Sequence, residues 1–131
     1  MVIDDSEFYN KLMTSQIRNY LRLLESENNC AFELHSFLSY SEFLKNEKAF
    51  FDIAVIDFYL NHGIVGTKVL EKIKGVNDNC KSIVVSQERS EETVVKAKRE
   101  GFDEFVHKED RFSLPRVCFF IEQAMNEKMR A

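Results

Sequence analysis

Apolar runs of about five residues alternate along this chain with longer stretches of helical periodicity, and that alternation restricts the fold more than any other feature. Short apolar segments separated by helices read as βα repeats around a parallel sheet. The strands fall at residues 1–4 (β1), 31–36 (β2), 53–57 (β3), 82–85 (β4) and 104–107 (β5), with β3 the most buried in character. Helix α1 covers residues 7–25, with Ser6 as its N-cap and Phe8, Leu12, Ile17, Leu21 and Leu24 recurring at spacings of three to five. Helix α2 covers 41–46 and carries Phe43 and Leu44, and α3 covers 67–74 with Val69, Leu70 and Ile73 inward and Gly75 and Asn77 as its stop. Helix α4 covers 90–100 and ends at Gly101, and α5 covers 114–128 with Pro115 in its first turn. Most of Val117, Phe120, Ile121, Ala124 and Met125 in α5 are expected in the core. Right-handed crossovers then give a doubly wound α/β fold, a five-stranded parallel sheet of order 2-1-3-4-5, in one domain over residues 1–131.

Composition narrows the function. The 131 residues are 44% hydrophobic and 31% charged, with a net charge of −4, which suits a soluble globular chain and disfavours direct nucleic-acid binding. The basic stretch Lys96-Ala97-Lys98-Arg99 reads as a solvated helix face. No apolar run is long enough to span a bilayer, and acidic Asp4 and Asp5 near the start argue against a signal peptide, so a cytoplasmic location is expected. Cys30, Cys80 and Cys118 are odd in number and widely spaced, as in a reduced compartment, and His35, His62 and His107 lack metal-ligand spacing.

The chemistry gathers where the strands run out. Asp4 and Asp5 follow β1, Asp57 closes β3, Ser86 follows β4 and Lys108 follows β5. In an open α/β sheet the carboxyl ends of the strands form the ligand crevice. Taken singly, each residue has an ordinary reading: an aspartate pair caps a helix, Asp57 and Ser86 begin turns, and Lys108 is a surface charge. Their joint occurrence at four strand ends favours a site. Three carboxylates repel one another by several kcal/mol in a partly desolvated cleft, and a hard divalent cation with oxygen ligands relieves that repulsion. A carboxylate nucleophile, a metal and an ammonium are the parts needed for phosphoryl transfer onto aspartate.

Over essentially its whole length the sequence resembles the receiver domain of two-component response regulators, the CheY-like members of the flavodoxin-like (βα)5 folds. The resemblance is carried by Val2-Ile3-Asp4-Asp5, Val55-Ile56-Asp57-Phe58-Tyr59-Leu60, Ile83-Val84-Val85-Ser86 and Gly101-Phe102-Asp103-Glu104-Phe105-Val106-His107-Lys108. It implies that Asp57 accepts a phosphoryl group from a sensor histidine kinase or a phosphotransfer protein. It also implies Mg²⁺ (or Mn²⁺) on Asp5, Asp57 and the Tyr59 backbone carbonyl, with Asp4 acting through water. Ser86 and Lys108 would hold phosphoryl oxygens. Phe105 matches an aromatic switch position, with a packing residue of β5 as the other reading. Tyr59, Gln87 and Glu88 would set the lifetime of the phosphoaspartate, with the Tyr59 ring slowing hydrolysis. The expected output is a downstream protein target or a homodimer bound through the α4-β5-α5 face, without catalysis beyond the chain's own phosphotransfer and dephosphorylation.

Several residues depart from the family pattern. Glu109 follows Lys108 where a proline is usual, and Gln87 follows Ser86 where a small residue is usual. The loop Leu60-Asn61-His62-Gly63-Ile64-Val65-Gly66 lacks the usual proline and runs one residue longer to its last glycine. These departures support an alternative, a pseudo-receiver that signals without phosphorylation. A haloacid-dehalogenase-like phosphatase would need a second aspartate where this chain has Tyr59. Residues 129–131 close the sequence soon after α5, so no DNA-binding or enzymatic output domain is expected within it, as in a stand-alone receiver or one part of a larger regulator.

Overall fold

The computed structural model describes residues 1–88 and 90–130. Strands β1 (Val2–Ile3), β2 (Ser36–Phe37), β3 (Ile53–Asp57), β4 (Lys81–Ser86) and β5 (Glu104–His107) form one parallel sheet in the order β2-β1-β3-β4-β5. Helices α1 (Glu7–Asn28), α2 (Tyr40–Leu44), α3 (Gly66–Val76), α4 (Glu91–Arg99) and α5 (Ser113–Arg130) link and cover it. The expected fold and strand order are those observed.

Strand alternation divides the core into two layers. Val55, Ile83, Val85 and Val106 join Met13, Ile17, Leu21 and Leu24 of α1 and Val117, Ile121 and Met125 of α5. The alternate residues Ala54, Ile56 and Val84 join Phe43 of α2, Val69, Leu70 and Ile73 of α3 and Ala97 of α4. Both faces of the sheet are therefore covered, which is why the strands read as unbroken apolar runs.

The phase of α1 differs from the sequence expectation. Its buried face is Asn10, Met13, Thr14, Ile17, Leu21 and Leu24, whereas Phe8 and Leu12 are exposed. From Leu12 to Ile17 is five residues, a rotation of about 140° from the stripe that Ile17, Leu21 and Leu24 define. The helix also continues past residue 25 to Asn28, and Asn29 closes it in the left-handed conformation at φ 51°.

Strand β2 is shorter than the expected 31–36 and is displaced to its far end, sharing only Ser36 with that range. An edge strand has one partner, and β1 gives it a ladder of only Val2↔Ser36 and Ile3↔Phe37. Residues 31–35 approach as irregular chain, with Phe32 and Leu34 packed against the α1–α5 layer. Helix α3 runs through Gly75 and is capped at Asn77, so Gly75 is not its stop. Tertiary anchors hold that end: the Asn77 amide donates to the Phe51 carbonyl at 2.9 Å and Lys74 Nζ donates to the Cys80 carbonyl at 2.9 Å. Cys80 is buried, while Cys30 and Cys118 are partly buried free thiols.

Asn10 ties the two short strands to α1. Its amide nitrogen donates to the backbone carbonyls of Asp4 and Phe37, each at 3.0 Å, and its Oδ1 accepts from the Ser36 hydroxyl at 2.6 Å. Two-residue strands have few ladder bonds, so this buried amide stands in for the missing ones. Asn10→Ala leaves those carbonyls and the Ser36 hydroxyl without it, at a cost of roughly 2–3 kcal/mol. The expected result is a urea midpoint lowered by about 1–2 M at unchanged m-value. A variant within about 0.5 kcal/mol of the parent would contradict this role.

Candidate functional site

Parallel strands end at one edge, and that edge brings the expected residues together. Carboxylate oxygens of Asp4, Asp5 and Asp57 lie within 4.8 Å of one another. Lys108 Nζ reaches in from the end of β5, 2.8 Å from Asp4 Oδ2 and 3.2 Å from Asp57 Oδ2. Its side chain is 6% exposed, and those of Asp4 and Asp57 are 0% and 7% exposed, so this is a desolvated cluster. The two carboxylates serve different local ends. Asp4 Oδ1 accepts from the Ser6 amide at 2.9 Å and shapes the turn into α1, leaving Oδ2 to face Lys108. The sequence placed Lys108 at this edge but gave no sign of its close contact with Asp4.

The backbone fixes the base of each of these side chains. The Lys108 amide donates to the Ser86 carbonyl at 2.7 Å, and the Phe58 amide to the Val85 carbonyl at 3.0 Å. After Asp57 the chain folds back on itself: the Leu60 amide donates to the Ile64 carbonyl at 2.8 Å and the Gly66 amide to the Phe58 carbonyl at 2.6 Å. His62 and Gly63 make the extra turn with φ of 62° and 69°. Gly66 is required at the loop's close, because a Cβ there would stand 2.7 Å from the Asp57 carbonyl and 2.9 Å from Ile56 Cγ2.

The remaining expected residues surround this cluster. Ser86 is buried at the end of β4, and its hydroxyl accepts from the Glu88 amide at 3.1 Å. Tyr59 is half-exposed, bridges to Val65 and stacks at a tilt on Phe58 with ring centroids 4.8 Å apart. Gln87 and Glu88 are exposed, and the Gln87 carbonyl lies 2.9 Å from His107 Nε2. Phe105 pairs with Val84 and is partly buried against the layer beneath α3 and α4, away from the cluster itself. Tyr9 and Asn10, which the sequence reading passed over, also border the site. Lys108 Nζ lies 4.6 Å from the centre of the Tyr9 ring.

Electrostatics make the site incomplete by itself. Three carboxylates against one ammonium leave two surplus negative charges when all are ionised. At about 3 Å and an effective dielectric near 20, each close pair interacts by about 5 kcal/mol before desolvation. Burial and then the Asp4 charge push the Asp57 carboxyl up to about 7, against the pull of Lys108. For Lys108, burial favours the neutral amine, but the close contact with Asp4 and the charges of Asp57 and Asp4 outweigh it and raise its pKa. An all-oxygen donor set with excess negative charge fits a hard dication such as Mg²⁺.

An open parallel α/β sheet with an acidic, lysine-bridged crevice beyond the carboxyl ends of its strands places the chain among the doubly wound, flavodoxin-like domains. The family model for the response regulator receiver domain matches residues 1–115, and the chain belongs to that family, the receivers of two-component systems. A receiver domain protein from Methanospirillum hungatei is 21% identical with a TM-score of 0.72, over 98% of this chain and 94% of its own. DrrB of Thermotoga maritima, an OmpR/PhoB homologue, is 22% identical with a TM-score of 0.73, over 97% of this chain; this chain spans about half of it, 52%. A response regulator from Burkholderia pseudomallei, solved with a phosphorylated aspartic acid and a calcium ion, is 19% identical with a TM-score of 0.61, over 97% and 72% of the two chains. No curated protein matches the chain. Among the described residues no helix is long and apolar enough to cross a membrane.

The raised Asp57 pKa has a stability consequence. Between its ordinary 3.8 and about 7, the folded state holds a proton that the unfolded state has released. Stability is therefore lost as pH rises through that interval and levels off above it. Without metal, the parent is expected to lose about 2–3 kcal/mol more than Asp57→Asn between pH 5 and pH 8. Denaturant titrations at both pH values check this, and saturating Mg²⁺ should flatten the parent's profile. Identical slopes in the two proteins would show that Asp57 ionises normally.

Proposed function

We propose that the chain is a phosphorylatable receiver in which Asp57 takes a phosphoryl group from a histidine residue of a sensor kinase or phosphotransfer protein. The observation that carries this is the convergence of three carboxylate oxygens within 4.8 Å beside a buried Lys108. An ionised Asp57 oxygen attacks phosphorus, an O–P bond forms, and the donor's N–P bond breaks with its electron pair returning to the imidazole nitrogen. Bound Mg²⁺ (or Mn²⁺) would neutralise charge on the transferring oxygens, held by Asp5, Asp57 and the Tyr59 carbonyl, with Asp4 contributing through water.

The residues of the chain do the rest. Lys108, already paired with Asp57, keeps a positive charge at the place where a phosphoryl oxygen arrives. The Ser86 hydroxyl accepts a bond from Glu88, which leaves its hydrogen to donate to another phosphoryl oxygen. That pull on β4 is the signal, and Phe105 on β5, partly buried against the layer that includes Ala97 of α4, would follow it. Phosphorylation then shifts the population of the α4-β5-α5 face, where exposed Val95 is one apolar contact for a downstream protein or a second copy. The chain is not an enzyme toward other molecules in this reading, and its work is within the cytoplasm.

Intact mass after incubation with Mg²⁺ and acetyl phosphate tests the proposal. The parent should gain one phosphoryl group and Asp57→Asn none. The bound group should decay slowly, and Tyr59→Asn should shorten its lifetime because the half-exposed ring shields the approach of water. No gain under conditions that modify another receiver would favour a pseudo-receiver read in its unphosphorylated form.

A further inference from the structure

We propose that Tyr9 is a positioning residue for Lys108, its ring face serving as an uncharged third anchor for the ammonium. This rests on the reading that Lys108 works on a phosphoryl group. The Lys108 amide bond to Ser86 fixes the base of the side chain, but four rotatable bonds separate that base from Nζ. With its side chain 6% exposed, water does little to hold the tip. Its anchors are Asp4 Oδ2 at 2.8 Å, Asp57 Oδ2 at 3.2 Å and the Tyr9 ring centre at 4.6 Å.

The third anchor differs in kind from the other two. A carboxylate attracts the ammonium by neutralising it, whereas the negative face of an aromatic ring attracts a cation and leaves its charge intact. A third carboxylate here would bind Lys108 more tightly and leave it less charge to offer an incoming phosphoryl oxygen. Asp4 is also nearer to Nζ than Asp57 is, so an anchor outside the carboxylate pair helps to set where the ammonium rests.

The backbone that carries the ring is fixed, whereas its phenol end is not. The Tyr9 amide donates to the Ser6 hydroxyl at 3.3 Å, so the N-cap of α1 fixes its place one turn after the aspartate pair. At the far end the phenol oxygen is buried and has no hydrogen bond of good geometry among the described residues, with Ser113, at the start of α5, as its neighbour. A buried phenol without a good bond gains little from its hydroxyl, which points to the ring as the part the site uses.

The test measures phosphorylation by acetyl phosphate in Tyr9→Leu, Tyr9→Phe and a series with ring-fluorinated phenylalanines at position 9. Tyr9→Leu keeps apolar bulk and should slow the reaction roughly tenfold, and Tyr9→Phe should restore it. Fluorination drains the ring face with little change in size, so the rate should fall stepwise along the series at constant Tm. A flat series, or Tyr9→Leu as fast as Tyr9→Phe, would overturn the proposal. A second readout does not depend on phosphorylation: the Lys108 ε-methylene proton resonances should be shifted upfield by the ring in the parent and lose that shift in Tyr9→Leu. If the parent takes no phosphoryl group, the functional reading fails alone and this shift decides Tyr9, with an unchanged resonance counting against it.

Discussion

The ammonium of Lys108 between Asp4 and Asp57 is the contact on which the site depends. It joins the ends of β1, β3 and β5, which the sequence separates by 51 residues between Asp57 and Lys108 alone. Without that cation, buried Asp4 and Asp57 would face each other and Asp5 with nothing to offset the repulsion. With it, the cluster is tolerated but still carries excess negative charge. A crevice in that state is suited to a ligand that brings positive charge, and in the proposed function it then receives a phosphoryl group.

The fold supplies this arrangement through simple rules. Parallel strands in a doubly wound sheet all end at one edge, so four separate sequence segments deliver their polar residues to one place. Burial on both faces makes β3 and β4 stiff supports for Asp57 and Ser86. The weakest support is β1, a two-residue strand carrying Asp4 at its end. Asn10 compensates from α1 by bonding the Asp4 carbonyl and the neighbouring edge strand at once.

The strand order, the limits of β3 and β5 and the acidic cluster were legible in the sequence, because apolar runs ending in charged residues leave little choice of edge. The phase of α1 was less so. Phe8 and Leu12 fit a loose hydrophobic spacing, yet the buried stripe includes two polar residues, Asn10, whose amide reaches the distant Phe37 carbonyl, and Thr14, whose hydroxyl bonds back to the Asn10 carbonyl one turn earlier. The same blindness hid the Asp4 partner of Lys108 and the Tyr9 ring, since both depend on where side chains meet after folding. Gly75 misled for a related reason: its helix continues because Lys74 and Asn77 are anchored beyond it.

The central claim is that Asp57, Ser86 and Lys108 act as one unit around a phosphoryl group. Backbone amide NMR during titration with Mg²⁺ and beryllofluoride, a phosphoryl mimic, reads that unit directly. The expected result is a saturable change at Phe58, Ser86 and Lys108 that spreads to β5 and α4 and is absent in Asp57→Asn. Changes confined to Asp5 and its neighbours, or the same changes in Asp57→Asn, would show a metal site without a phosphoryl site and contradict the account.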